Sequence, residues 1–130
     1  MYRWVDHTAE VELEIEAASE REVLEEAVRA LAELLGIETA RGEERRTVTL
    51  QAGDRPALLA AWIEELAFLA ESEGFVATHV IDVNLGPAAL KATVTGVLDE
   101  PPPLVKAVTY HRLTFEPSGG RYLARVILDV

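Results

Sequence analysis

The chain carries the stretch Glu10-Val-Glu-Leu-Glu-Ile-Glu16, in which acidic and apolar residues alternate without a break. A period of two is typical of a β-strand, because successive side chains point to opposite faces of a sheet. The apolar side chains of this strand are expected to face the core: Val11, Leu13 and Ile15. The four glutamates on the other face repel one another, so that face should lie open to water or meet cations.

Two amphipathic helices are predicted on either side of a second strand at residues 47–50. The first follows the capping residue Ser19 and ends at Gly36, and the second follows Asp54 and ends at Gly74. Large aromatic side chains usually supply core area, so two aromatic residues of the second helix are assigned to the core, and the first of them also belongs to an apolar series at helical spacing. They are Trp62 and Phe68.

The remainder of the chain is rich in predicted strands separated by turn residues. These strands cover residues 75–85, 90–97, 105–115 and 122–130, while residues 37–44 form a charged loop. This order of elements predicts an α+β fold, with two helices packed on a largely antiparallel β-sheet. The whole chain, residues 1–130, is expected to form a single domain.

Composition excludes several classes of function. The 130-residue chain contains no cysteine, which rules out disulfides, thiolate zinc sites and cysteine nucleophiles. Its formal net charge of -11 disfavours direct, stable binding of nucleic acid. No leader-like start and no apolar run long enough to span a membrane is present, so a cytoplasmic protein is expected.

Sequence motifs give no support for an enzyme. The chain lacks nucleotide-binding glycine motifs, the zinc-protease motif and a serine in a nucleophile elbow. A hydrolase that used paired carboxylates would need a substrate pocket and an acid of raised pKa, and the sequence indicates neither.

A group of acidic residues near the two ends of the chain is the strongest candidate for a metal site. If the last strand lies beside the first, the carboxylates of Glu10 and Asp129 and the terminal carboxylate of Val130 could converge as oxygen ligands for Ca²⁺ or Mg²⁺. The alternative is a solvated Glu10, with Asp129 paired to Arg125, which lies four residues earlier on the same strand face. His7 and His111 are not spaced as a local metal pair, although folding could bring them together.

Three motifs carry a resemblance to a known family. The stretch Val5-Asp-His-Thr-Ala-Glu-Val11 is similar to the D-H-T-A-D-V signature of archeases. Lys106-Ala-Val-Thr-Tyr-His111 and Ile127-Leu-Asp-Val130 resemble two later segments of the same family, in the same order. The resemblance implies an SHS2-type α+β domain and a non-enzymatic activator of the tRNA-splicing RNA ligase, which promotes guanylylation and multiple turnover of that partner.

The resemblance also implies site residues. The family's metal site carries over to Glu10, Asp129 and Val130, with a divalent cation as cofactor: Ca²⁺ first, with Mg²⁺ and Mn²⁺ as alternatives. Contacts to the partner or to phosphate are expected from Asp6, His7, Lys106 and His111.

The chain departs from the family pattern at two positions, and a second function stays open. Glu10 replaces the signature's aspartate, which puts metal affinity and selectivity in doubt, and Glu12 replaces a usual glycine as a local strand substitution. The alternative function is a chaperone-like modulator of a tRNA-modifying enzyme, such as a tRNA methyltransferase, which would need no metal. The oligomeric state is left open.

Overall fold

The structure, a computed structural model, describes residues 1–37 and 42–130. Its strands and helices form two antiparallel sheets and two helices, which agrees with the predicted α+β class. In chain order the elements are β1 (Tyr2–His7), β2 (Glu10–Ala17), α1 (Glu20–Leu34), β3 (Glu44–Gln51), α2 (Arg55–Glu73), β4 (Phe75–Leu85), β5 (Ala89–Leu98), β6 (Ala107–Ser118) and β7 (Arg121–Asp129). One sheet has the order β1-β2-β7-β6 and the other has the order β3-β5-β4.

Both helices begin at the predicted residues, and α2 ends at the predicted Gly74, whereas α1 ends at Leu34, two residues before Gly36. The Ser19 hydroxyl accepts the backbone N–H of the third residue of α1 at 3.1 Å, and the Asp54 carboxylate caps α2 in the same way at 2.8 Å. These bonds satisfy backbone donors that have no partner inside the helix. Gly74 ends α2 in the left-handed conformation, with φ of 64°.

The hydrophobic core joins the two helices to one face of each sheet. As predicted, Leu13 and Ile15 of β2 point into it. Trp62 of α2 is completely buried, and its indole N–H donates a hydrogen bond to the backbone carbonyl of Leu24 at 3.2 Å. The prediction for Phe68 was wrong, because its side chain is 58% exposed. Six residues at about 100° each place Phe68 some 240° around the helix from Trp62, outside the buried stripe.

Several strand boundaries differ from the predictions. β1 was not predicted: it is an edge strand with charged residues and no clear alternation of apolar side chains. β3 begins at Glu44, earlier than expected, and β6 begins at Ala107 rather than at residue 105. Of the predicted loop at 37–44, residues 38–41 lie outside the described residues.

Neither α1 nor α2, the two helices within the described ranges, is long and apolar enough to cross a membrane.

The order of the larger sheet determines which residues can form a site. β2 lies between β1 and β7, so the segment after the first turn of the chain pairs directly with the last strand. One face of this sheet packs on the helices, and the other carries the four glutamates of β2. We call this second face the outer face.

Candidate metal centre

The register of the larger sheet places three predicted site residues in one row on the outer face. Glu10 of β2 lies directly opposite Asp129 of β7 on one side and His7 of β1 on the other. Directly opposed residues in antiparallel strands have Cα atoms about 4.5–5.5 Å apart and side chains on the same face. Glu10 and Asp129 are therefore neighbours on one face of the sheet, which is the strand arrangement that the sequence hypothesis required.

Backbone hydrogen bonds hold the end of the chain beside this row. The N–H of Val130 donates to the carbonyl of Ala9 at 3.3 Å, and the N–H of Lys106 donates to the carbonyl of Asp129 at 2.8 Å. Ala9 occupies the turn between β1 and β2 with φ of 60°, a conformation that a residue with a Cβ rarely adopts. Val130 is thus attached to the same turn that precedes Glu10.

Glu10 is the exception among the four glutamates on the outer face of β2. Glu14 forms an ion pair with Arg3 at 2.7 Å, and Glu16 forms one with Arg121 at 3.1 Å. The hydrogen bond from Arg3 lowers the pKa of the Glu14 carboxyl. Within the described ranges, neither Glu10 nor Asp129 has a cationic side chain within 4.0 Å.

The alternative partner for Asp129 was therefore wrong. Arg125 lies within 3.5 Å of Glu12 and 3.6 Å of Glu14 instead, because it points across to β2 rather than along its own strand. Glu10 and Asp129 are both partly buried. Two carboxylates on neighbouring strands without a cationic partner repel each other, and a cation with oxygen ligands would relieve this repulsion.

These side chains by themselves do not complete a metal site. In the part of the chain that the structure describes, no group of three or more histidine, cysteine, aspartate or glutamate side chains is placed to hold a metal ion. Glu10 and Asp129 supply two oxygen donors, and further ligands would have to come from the carboxylate of Val130, from water or from a partner.

Glu12 meets cations instead of water, which is the second of the two possibilities expected for the acidic face. It is only 3% exposed, and two guanidinium groups and an imidazole approach its carboxylate: Arg125 at 3.5 Å, Arg112 at 3.7 Å and His7 at 4.0 Å. Its partner across the strands, Ile127, is also 3% exposed although it lies on the outer face. The sequence carried no signal for this cluster, because the contribution of Arg112 comes from a strand about 100 residues away.

The other predicted contact residues are spread around this end of the sheet. Lys106 is exposed and directly precedes β6, whereas Asp6 is exposed and lies opposite Val11, one position out of the row that contains His7. His111 is exposed on β6. β1 and β6 are opposite edges of the sheet, so two strands separate the backbones of His7 and His111.

An irregular segment of β6 carries His111. Four residues, 110–113, lie between the pairs Thr109–Ile127 and Thr114–Arg125, whereas β7 has the single residue Val126 there. Such a bulge re-aims side chains. Tyr110 in this segment is exposed, and the nearby charge of Glu64 raises its pKa.

Comparison with known proteins identifies relatives along the whole chain. Residues 2–130 match the sequence profile of the Archease protein family (MTH1598/TM1083). Protein archease from Methanosarcina mazei is 30% identical over 139 residues, which cover 99% of this chain and 95% of the relative. Protein archease from Thermococcus gammatolerans is 32% identical over 142 residues, which cover 100% of both chains.

Solved structures agree with the sequence comparison. The solution structure of protein 1598 from Methanobacterium thermoautotrophicum has a TM-score of 0.70 and 27% identity, and covers 99% of this chain and 98% of its own. The crystal structure of an archease from Thermotoga maritima, described as a possible chaperone, has a TM-score of 0.67 and 26% identity. It covers 100% of this chain and 98% of its own.

Proposed function

The chain belongs to the archease family, and from this membership we propose that it is a non-enzymatic activator of the tRNA-splicing RNA ligase. It would act in the cytoplasm, promoting guanylylation and multiple turnover of the ligase through a carboxylate metal site. One observation supports the site: Glu10 and Asp129 lie directly opposite each other on β2 and β7, and neither carboxylate has a cationic partner among the described residues.

The residues present fit a divalent cation that prefers oxygen ligands. Glu10 and Asp129 offer carboxylate oxygens, and Val130 could add its own carboxylate because a hydrogen bond holds it next to Ala9. Ca²⁺ suits this donor set best because it tolerates irregular geometry, while Mg²⁺ and Mn²⁺ are alternatives. When bound, the cation would supply positive charge that can attract and orient a phosphate group.

Incomplete coordination indicates how the partner could take part. Two side chains and one terminal carboxylate do not fill the coordination sphere of such a cation. A group from the ligase or from its nucleotide could occupy the remaining ligand positions. Glu10 and Asp129 would hold their side of the shared site, and His7 and Lys106 would contact the docked partner. The net charge of -11 favours a basic protein surface over direct contact with RNA.

The test is multiple-turnover ligation by the cognate ligase, together with its guanylylation, in the presence of the wild-type protein or of Asp129→Asn. We expect the variant to lose most of the stimulation, and a chelator to have the same effect on the wild type. Asp82→Asn is the matched control, since it removes one exposed carboxylate from the other sheet. Full stimulation by folded Asp129→Asn would refute the metal-site mechanism.

A chain-end experiment tests Val130 separately. Residues appended after Val130 should reduce stimulation, because they remove its carboxylate and crowd the site beside Ala9. The same residues placed before Met1 serve as the control, and they should have a smaller effect. Equal effects of the two extensions would exclude Val130 as a ligand.

A second function has one specific observation in its favour. The relative from Thermotoga maritima is described as a possible chaperone, which suits a chaperone-like modulator of a tRNA-modifying enzyme such as a tRNA methyltransferase. This function predicts that the chain suppresses aggregation of that enzyme equally well with and without chelator. Dependence on the cation would favour the ligase instead.

A further inference from the structure

Two arginines on the outer face keep all their hydrogen-bond donors unused. Arg112 and Arg125 each lie within 4.0 Å of a carboxylate, yet neither donates a hydrogen bond to any residue within 1–37 or 42–130. Of the other described arginines, Arg45 of β3 also donates none, and six donate at least one: Arg3, Arg21, Arg29, Arg46, Arg55 and Arg121. A guanidinium group carries five N–H donors in a fixed fork, which suits carboxylate and phosphate oxygens.

Glu12 holds the two arginines together. The Nη1 atom of Arg112 lies 3.7 Å from one of its carboxylate oxygens, and the Nε atom of Arg125 lies 3.5 Å from the other. Arg125 also lies 3.6 Å from Glu14, but Glu14 is itself hydrogen-bonded to Arg3, whereas Arg112 has Glu12 as its one carboxylate within 4.0 Å among the described residues. The guanidinium groups are thus kept close without being locked by hydrogen bonds.

Buried polar atoms around this cluster also lack partners. Three atoms make no hydrogen bond to the described residues: Glu12 Oε1, Arg125 Nε and Thr109 Oγ1. Buried polar atoms are almost always hydrogen-bonded in folded proteins, so an unsatisfied group needs an explanation. Glu12 and Thr109 lie on the two sides of Ile127 in one row across the sheet. The Arg112 side chain reaches the Glu12 end of this row.

The cluster lies beside the candidate metal centre. Glu12 is two residues from Glu10 on the same strand face, and Ile127 is two residues from Asp129, which corresponds to about 7 Å along the sheet. Arg112 itself lies in the irregular segment of β6 and has φ of 58°, a conformation that costs about 1–2 kcal/mol for a residue with a Cβ. A long cationic side chain is thereby directed from the edge strand over the sheet.

We infer that Arg112, together with Arg125, forms a phosphate-binding arm that contacts a phosphate group held at the Glu10–Asp129 site. This inference rests on the proposed function and specifies its substrate class, a phosphate group carried by a nucleotide or by an RNA end. Phosphate oxygens would accept the unused N–H donors of the arm, while Glu12 stays buried and keeps both arginines in place. A cation held by the carboxylates, and the two arginines, would then contact the same phosphate from neighbouring rows of the sheet.

The experiment is calorimetric titration of the full chain with Mn²⁺ alone, and then of the Mn²⁺-loaded chain with inorganic pyrophosphate. Arg112→Gln should weaken pyrophosphate binding by about 10- to 100-fold, as expected for charge-assisted hydrogen bonds, and leave the affinity for Mn²⁺ within about twofold. Arg112→Lys keeps the charge but loses the forked arrangement of N–H donors. Its affinity for pyrophosphate should lie between those of the wild type and Arg112→Gln.

Arg121→Gln is the matched control. The side chain of Arg121 is 48% exposed against 49% for Arg112, and each pairs with one glutamate of β2, but Arg121 lies at the far end of the face and is hydrogen-bonded to Glu16. This variant should bind pyrophosphate like the wild type. Thermal melts of each variant establish that it is folded.

The outcomes separate the arm from the metal site. Unchanged pyrophosphate affinity in folded Arg112→Gln, or an equal loss in Arg121→Gln, would overturn the arm. Absence of pyrophosphate binding to the wild type would do the same. If the wild type fails to bind Mn²⁺ but binds pyrophosphate through Arg112, the metal site is wrong and the arm stands. Replacing pyrophosphate by GTP or by an oligonucleotide with a 3′-phosphate then distinguishes the two sources of phosphate.

Discussion

Replacing Asp129 with asparagine should change the stability of the protein in opposite directions without and with a divalent cation. Asp129 faces Glu10 directly, and neither carboxylate is neutralised by a cationic side chain among the described residues. Asparagine has nearly the same shape and leaves the backbone hydrogen bond between Asp129 and Lys106 intact. The substitution therefore removes one negative charge and one metal ligand, and little else.

The size of the effect without metal follows from Coulomb's law. Two unit charges about 6 Å apart in a medium like water repel each other by about 0.7 kcal/mol, and salt reduces this value. In a chain of this length, that energy corresponds to a rise of the melting temperature by about 2–4 °C. Asp129→Asn should therefore melt slightly above the wild type when a chelator is present.

Addition of the cation should reverse this order. A ligand that binds only the folded state at about 100 times its dissociation constant stabilises that state by about 2.7 kcal/mol, or about 10 °C for a chain of this length. The wild type should gain this amount from Ca²⁺, while Asp129→Asn should gain much less because one of its few ligands is missing. Circular dichroism melts in chelator and in increasing Ca²⁺ measure both effects.

Asp82→Asn provides the control for general electrostatics. It makes the same change in net charge, from -11 to -10, at an exposed position of β4 in the other sheet. It should respond to Ca²⁺ as the wild type does. If Asp129→Asn and Asp82→Asn gain the same stability from Ca²⁺, or if Asp129→Asn melts below the wild type in chelator, the reasoning about a repelling pair is refuted.

Three further predictions concern the fold. Trp62→Phe should lower the free energy of unfolding by about 2–3 kcal/mol in urea titrations, because a buried indole and its hydrogen bond are lost; a loss below about 0.5 kcal/mol would contradict this. Burial, followed by the hydrogen bond to Glu33, raises the pKa of Tyr2 from 10.0 to about 12. The stability that this hydroxyl contributes is complete below pH 10 and is lost as pH rises through 12. Tyr2→Phe should therefore lose less stability than the wild type over that interval. Parallel profiles of stability against pH would argue against the contact. Gly96→Ala would place a Cβ 2.0 Å from a carbonyl oxygen of β4 and should cost about 1–3 kcal/mol in thermal melts, whereas Gly53→Ala meets no atom within 4 Å and should cost far less.

Features that depend on neighbouring residues could be predicted from the sequence. The alternation in β2 and the capping residues Ser19 and Asp54 act over two to four positions, and the structure has the strand and both helices where these signals indicated. Burial of Trp62 followed from helical spacing in the same way. Phe68 was assigned by residue type instead of by its angle around the helix, which explains the error.

Features that depend on distant strands could not be predicted by local patterns. β1 is held by pairing with β2 on one side only, and its composition alone does not indicate a strand. The burial of Glu12 requires Arg112 and Arg125, which come from β6 and β7. The opposition of Glu10 and Asp129 was a hypothesis that needed β7 to lie beside β2, and metal binding by this pair stays a prediction.

Register is the property that distinguishes Glu10 from the three other glutamates on its face. These four residues are equivalent as a sequence pattern, but β7 presents a different residue to each: Leu123 to Glu16, Arg125 to Glu14, Ile127 to Glu12 and Asp129 to Glu10. A shift of the register between β2 and β7 by two residues would preserve the alternation yet move Asp129 away from Glu10. A shift by one residue would turn the glutamates into the core. The apolar face of the same strand opposes both slips, because Leu13 and Ile15 are almost fully buried. Packing on the inner face therefore selects which carboxylate on the outer face is left free for a cation.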